Sequence, residues 1–206
     1  MHEGLNRYEV YTTVGSKYCY PGTSVLKNRF HLQEADSLKK IETDVSALRQ
    51  AALMAKPIKG HFTPHHLCAI HRYLFGDIYS FAGRYRKEDI MKGDTRFLRY
   101  SEIADKLKTL LAGLARENYL IGTTAEELAA GSAFYMAELN YIHPFREGNG
   151  RAIREFMRTL FLKNNYVIDW STVSRDSFLQ LMEQSVYQPQ VLYQLIYPGL
   201  TRIVEE

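Results

Sequence analysis

Apolar residues recur along this chain mostly at helical intervals. Leu38, Ile41, Val45, Leu48 and Ala52 step through residues 35–55 at spacings of three and four, which predicts an amphipathic helix. Thr63-Pro64 reads as an N-cap followed by proline at the first helical position. Leu67, Ile70, His71, Leu74 and Phe75 continue that second helix. Ile103, Leu107, Leu110, Leu111 and Leu114 predict a third over 101–117, beginning at Ser101. Thr124 with Glu127 makes a capping box for a fourth, which should run to Tyr141. Its small residues Ala129, Ala130, Gly131, Ser132 and Ala133 permit close approach and predict a central position. Ile153, Phe156, Met157, Leu160 and Phe161 predict a fifth, and two amphipathic segments follow near 174–186 and 190–204.

Two stretches break this rhythm. Gly93-Asp94, between Ile90-Met91 and Phe97-Leu98, reads as the tip of a β-hairpin spanning 85–100. Residues 1–32 are rich in Tyr and Gly, with a turn at Tyr20-Pro21-Gly22-Thr23 and with Val25, Leu26 and Phe30 available to pack an arm on the core. The expected fold is all-α, a single helical domain over 1–206 with roughly seven or eight helices and one small hairpin.

Composition changes this picture little. At 206 residues and 46% apolar, the chain can build a substantial core. A net charge of +3, spread along the sequence, gives no reason to expect a nucleic-acid or membrane partner. Cys19 and Cys68 fit no zinc or redox spacing and read as reduced thiols of a cytoplasmic protein. No signal peptide or bilayer-length apolar run is visible. His61, His65 and His66 lack the acid or cysteine of a metal site, and Pro64 interrupts them, so capping and surface roles are expected. His71 lies on an apolar face and reads as a satisfied core or rim histidine.

The chemistry concentrates in His143-Pro144-Phe145-Arg146-Glu147-Gly148-Asn149-Gly150-Arg151, with Arg154 three residues on. Gly148-Asn149-Gly150 lets the backbone approach a ligand just before a helix whose first amides lack internal partners. That is the design of an anion cradle. Arg151, Arg154 and Arg158 share a helix face roughly opposite the apolar one. Glu147 beside such a cradle makes sense as a magnesium ligand. His143 can accept a proton near neutral pH. Singly, each has a bland reading: a turn, a helix end, a solvated stripe. Together they are the parts of phosphoryl or nucleotidyl transfer to a hydroxyl.

The stretch resembles the Fic family signature His-Pro-Phe-x-(Asp/Glu)-Gly-Asn-Gly-Arg-x-x-Arg and fits it at every specified position. The resemblance implies an all-helical fold and transfer of AMP from ATP to a hydroxyl of a target protein. It implies His143 as base, Glu147 as holder of Mg²⁺, and Gly148, Asn149, Gly150, Arg151 and Arg154 as nucleotide-binding residues. Phe145 would pin the loop into the core. Gly148 separates the chain from the Doc-like, phosphate-transferring branch, which lacks a small glycine there. Phe81-Ala82-Gly83-Arg84-Tyr85-Arg86 resembles the family segment that leads into the hairpin, or flap. The flap would hold the target by strand pairing through Lys92, Gly93 and Phe97. Trp170 and nearby tyrosines are candidates to wall an adenine pocket.

Rival readings are a Fic-like transferase that uses another donor, such as UTP or CDP-choline, or that moves phosphate, and a catalytically idle nucleotide-binding module. The family suggests a type II topoisomerase subunit as target, with small GTPases for secreted relatives. In regulated relatives a Ser/Thr-x-x-x-Glu-Gly/Asn segment sets its Glu against the second arginine, here Arg154. Only Thr123/Glu127 and Thr201/Glu205 have the spacing, and neither completes the pattern. Restraint is therefore expected from a separate antitoxin-like protein.

Overall fold

The structure is a computed structural model and describes residues 15–93 and 95–204. The first part of the N-terminal arm (1–14), the flap-tip Asp94 and the inhibitor candidate Glu205 lie outside the described residues. In chain order the helices are α1 (Ala35–Ala55), α2 (Pro64–Phe75), α3 (Ile103–Arg116), α4 (Ala125–Ile142), α5 (Asn149–Lys163), α6 (Arg175–Gln184) and α7 (Tyr193–Ile196). The strands are β1 (Met91–Lys92), β2 (Thr95–Arg96), β3 (Tyr166–Ile168) and β4 (Leu200–Arg202). Short 3₁₀ turns link several of them.

α4 is the central helix. Thr124 Oγ1 accepts from Glu127 N (3.2 Å) and Glu127 Oε2 accepts from Thr124 N (2.9 Å), closing the capping box. Ala129, Ala133 and Ala137 are buried along it, so α3, α5 and α7 pack close against α4. α2 crosses α5 and α1. It starts as its sequence predicts, with Thr63 Oγ1 accepting from His66 N and Pro64 at the first position. One continuous core runs through these helices, including Leu67, Ile70, Leu139, Ile153, Phe156 and Leu195.

Several expectations change. Among the described residues the expected hairpin is present as β1 with β2, and a second antiparallel pair joins it, β3 with β4 in the register Val167↔Thr201. The segment near 190–204 is not one helix. α7 stops at Ile196, Pro198 follows, and the chain turns back as β4. Gly199 allows that return, because a Cβ there would lie 2.4 Å from Asp169 O. Asp169 N donates to Gly199 O at 2.9 Å.

α1 also departs from its apolar stripe. Leu48 is 73% exposed, whereas Ser46 is buried and the acid of Glu42 is mostly covered. Those two polar side chains turn inward because each receives a hydrogen bond from Arg151. His66 is buried, with Nε2 against Ile58 O at 2.9 Å, rather than a surface residue. In the arm, Val25 and Leu26 are buried and Phe30 is exposed. The Asn28 side chain explains this, since it bonds to the backbone of Leu26, Phe30 and Leu32 and leaves Phe30 on the outside of a tight loop. Cys19 and Cys68 are both free. Among the described residues, no helix is long and apolar enough to cross a membrane.

Candidate active site

α4 ends where the chemistry begins. His143 caps it in the left-handed conformation (φ 46°, ψ 61°), with its N–H still bonded to Leu139 O. This turns the chain into the loop that starts α5. Asn149 closes the loop with both ends of its amide: Oδ1 accepts from Phe145 N (2.8 Å) and Nδ2 donates to Phe145 O (2.8 Å). The side chain of Asn149 is thus a brace. Gly148 takes φ 78°, and a Cβ there would meet the Phe75 ring at 2.3 Å. At Gly150 a Cβ would meet nothing within 4 Å, so the start of α5 faces open space. First-turn amides with the positive end of the helix dipole make that space favourable to an anion.

His143 is buried, and its Nδ1 lies 3.1 Å from Asn140 O. A carbonyl only accepts, so Nδ1 carries the proton and Nε2 carries the ring's lone pair. Burial pulls its pKa down to about 3, with Arg86 and Lys92 acting in the same direction. The ring is therefore neutral at physiological pH, held below the near-neutral value expected of a free imidazole.

Glu147 sits at the other end of the loop, its Oε1 accepting from Gly148 N at 2.7 Å. Burial pushes its pKa up, and the nearby Glu42 adds to this. Arg151 turns back toward α1. It donates to Glu42 and to Ser46 Oγ (2.9 Å), lies 3.7 Å from Glu147 and sits 4.6 Å from the Phe75 ring centre. Glu42 also accepts from the Tyr79 hydroxyl. The Arg154 guanidinium lies over Phe178 of α6, 4.9 Å from the ring centre. Arg158 pairs with Glu155 and reaches Leu53 O. The three arginines therefore do not form a solvated stripe: Arg151 and Arg158 reach α1 and Arg154 packs on α6.

Beneath the loop lies a residue read from sequence only as a satisfied core or rim histidine. His71 is fully buried, stacks on Phe145 (3.8 Å) and joins two backbones. Its Nδ1 accepts from Gly83 N (2.8 Å), which leaves Nε2–H to donate to Glu147 O (2.8 Å). Burial lowers its pKa to about 3. Phe145 is itself fully buried.

The flap stands over the other side. β1 and β2 pair Met91↔Arg96 and Lys92↔Thr95 around Gly93. Phe97, just past β2, stacks on the His143 ring at 3.8 Å. The structure thus brings Phe97 and His143 together and places the α5 N-terminus on the same loop. Trp170 lies between Phe161 and Phe178, against the core.

Sequence reasoning missed four supports: Glu42, Arg86, Glu88 and Arg146. Arg146 is buried and pairs with Glu88 at 2.9 Å, and Ser16 of the arm donates to the same carboxylate. The one signal for Arg86 was its place in the aromatic-Ala-Gly segment.

A model of the Fic/DOC family matches residues 61–161. Protein adenylyltransferase VbhT of Bartonella schoenbuchensis is 37% identical over 170 residues, 82% of this chain and 36% of that protein. A Salmonella typhimurium protein named "Probable protein adenylyltransferase Fic" is 37% identical over 163 residues, 79% of this chain and 80% of that one. The N-terminal Fic domain of a VirB-translocated Bep effector protein from Bartonella quintana, solved with bound ADP, superimposes with a TM-score of 0.82. It is 26% identical and covers 90% of this chain and 95% of that one. Sharing 37% of its aligned residues with a relative matched over about four fifths of both lengths, and carrying this loop between these helices, the chain belongs to the Fic/DOC family.

Proposed function

We propose that this protein is a protein adenylyltransferase that moves AMP from ATP to a side-chain hydroxyl of a target protein. One observation carries the reading: a buried histidine, its Nδ1 against Asn140 O and its ring under Phe97 of the flap, opens the loop that leads into the uncrowded start of α5. Nε2 of His143 takes the proton of a Ser, Thr or Tyr hydroxyl as its oxygen attacks the α-phosphorus. The bond from that phosphorus to the bridging oxygen breaks, and pyrophosphate leaves. Backbone amides around Gly148, Asn149 and Gly150 bind phosphate oxygens. Arg151 adds positive charge from behind the loop, and Arg154 holds the γ-phosphate so that the leaving group stays in line. Phe145 keeps the loop seated.

Among the described residues, no group of three or more metal-binding side chains exists. Magnesium commonly takes only one or two protein carboxylates and completes its shell with phosphate and water, so the lone Glu147 fits an ion carried in by ATP. When bound, Mg²⁺ neutralises charge on the phosphates. Lys92, Gly93 and Phe97 present the target segment along the flap. The target class we favour is a type II topoisomerase subunit. For restraint we favour a separate inhibitory protein, since Glu127 is already used in the α4 cap.

The test is to incubate the protein with ATP, Mg²⁺ and candidate targets and read intact mass. Addition of one AMP to a Ser, Thr or Tyr supports the reading. Addition of phosphate, transfer only from another nucleotide, or binding without transfer would each replace it.

A further inference from the structure

Arg86 has no solvent-exposed side chain, yet it belongs to no part of the proposed chemistry. Its Nε donates to His143 O (2.9 Å) and its Nη1 to Glu88 O (2.8 Å). Its Nη2 donates to Leu98 O and to Ile142 O (3.3 Å). Its backbone N–H donates to Pro144 O at 2.8 Å. The Asp89 carboxylate is 3.8 Å away and mostly exposed.

A buried cation needs compensation, and four backbone oxygens contribute to it here. Ile142 and His143 offer carbonyls at the end of α4, which lack helical partners and sit at the negative end of the dipole. Glu88 and Leu98 lie on the two legs of the flap, before β1 and after β2. One planar guanidinium therefore holds the end of α4, the base and both flap legs. Neighbouring bonds close the same unit: Leu98 N donates to Tyr141 O (3.1 Å), and Arg146 of the loop pairs with Glu88.

We infer that Arg86 is a positioning residue that fixes the flap at a set height and angle over His143. This rests on the transferase reading above. A hydroxyl paired to the flap then arrives at Nε2 without a search. Lysine cannot replace it, because an ammonium is a point donor and lacks the fork that spans four carbonyls in different directions.

The test compares the unmodified full chain with Arg86→Lys and Arg86→Met. Expected is a fall in transfer kcat of about 100-fold in Arg86→Lys, as for a reacting group misplaced by an ångström. ATP affinity by calorimetry should stay within about threefold, because the α5 end is not held by this side chain. Transfer retained within about threefold, or an equal loss of ATP affinity, overturns the inference. Should Arg86→Met not fold, Arg86→Lys and a measurement on the unmodified protein decide. Hydrogen exchange of the amides of Leu98, His143 and Arg86 should show one shared opening. If Leu98 opens about 100-fold more often than His143, the flap and the base are not one unit and the inference fails. Exchange needs no transfer. An unmodified chain without AMP transfer would sink the function reading and leave this one to be judged by exchange.

Discussion

The ring of Phe97 lies nearly flat on the imidazole of His143, with centroids 3.8 Å and planes 19° apart. The flap thus covers one face of the proposed base. It helps to exclude water from the ring, and burial is the main reason His143 is held at a pKa of about 3. Replacing Phe97 by Ala should raise the histidine's pKa toward its usual value and lower transfer at least about tenfold, because the flap loses its seat on the base. ATP affinity should change little. A nitrogen-15 histidine titration with parallel calorimetry checks this. An unmoved midpoint would show that the stacking does not shield the ring.

Acid should unfold this protein in a recognisable way. His71 and His143 are neutral in the fold, with pKa values of about 3 against a usual 6.5. Below pH 6.5 the unfolded chain takes up protons that the native state refuses. Stability is therefore fully present above 6.5 and falls as pH drops toward 3. Two such groups give a limiting slope of about 2.7 kcal/mol per pH unit. His66 is lowered as well, by its own burial. Glu147 acts in the opposite sense, since its raised pKa lets the native state take up a proton first. The His71→Gln change isolates one contribution. Urea unfolding compared at pH 7.5 and 5.5 should show the loss of stability between them reduced by about 1.4 kcal/mol, an average of about 0.7 kcal/mol per unit. An unchanged slope would mean that His71 titrates normally.

What was legible in the sequence was local. The caps at Thr63 and Thr124 act within three residues, so both helix starts could be read directly. The 143–154 stretch holds most of its chemistry in consecutive residues, so the loop was visible as a unit. The supports were not visible, because their partners are far away in sequence. Arg86 reaches carbonyls 56 and 57 residues on, and Arg151 reaches an acid 109 residues back. Counting only apolar positions placed Leu48 on the inner face of α1, because a polar Glu42 and Ser46 turned inward leave no hydrophobic trace. β4 was hidden for a related reason. Its segment has helical spacing, and only its tertiary partner β3 selects the strand.

Two glycines in one turn should respond oppositely to alanine. At Gly148 the backbone is left-handed and a Cβ would collide with Phe75. Gly148→Ala should cost about 3 kcal/mol, from overpacking and the positive φ together. At Gly150 the backbone is helical and the space is open. Gly150→Ala should fold at least as well, since alanine favours a helix by up to about 1 kcal/mol. Its methyl would nevertheless enter the space assigned to phosphate, so ATP affinity should fall while stability does not. Thermal melts with nucleotide titration check both halves. Normal ATP binding by Gly150→Ala would move the phosphates away from the start of α5.

Glu42 and Arg151 form a partly buried pair whose structural and binding roles can be separated. The guanidinium gives hydrogen bonds to Glu42 and Ser46, and both Glu42 and Glu147 favour its charged form. Glu42→Ala leaves that charge against Glu147 alone and should destabilise the fold by about 3 kcal/mol. Changing both Glu42 and Arg151 to Met removes two desolvated charges together, and should recover most of that loss. If Arg151 serves only to fasten α5 to α1, the double variant should also recover ATP affinity. If its charge acts on the phosphates from behind the loop, affinity should remain down by about tenfold while the melt returns toward normal. The second outcome is the one expected, because the guanidinium lies 3.7 Å from the carboxylate assigned to magnesium. Full recovery of ATP affinity in the double variant would remove Arg151 from the nucleotide site and leave it a purely structural residue.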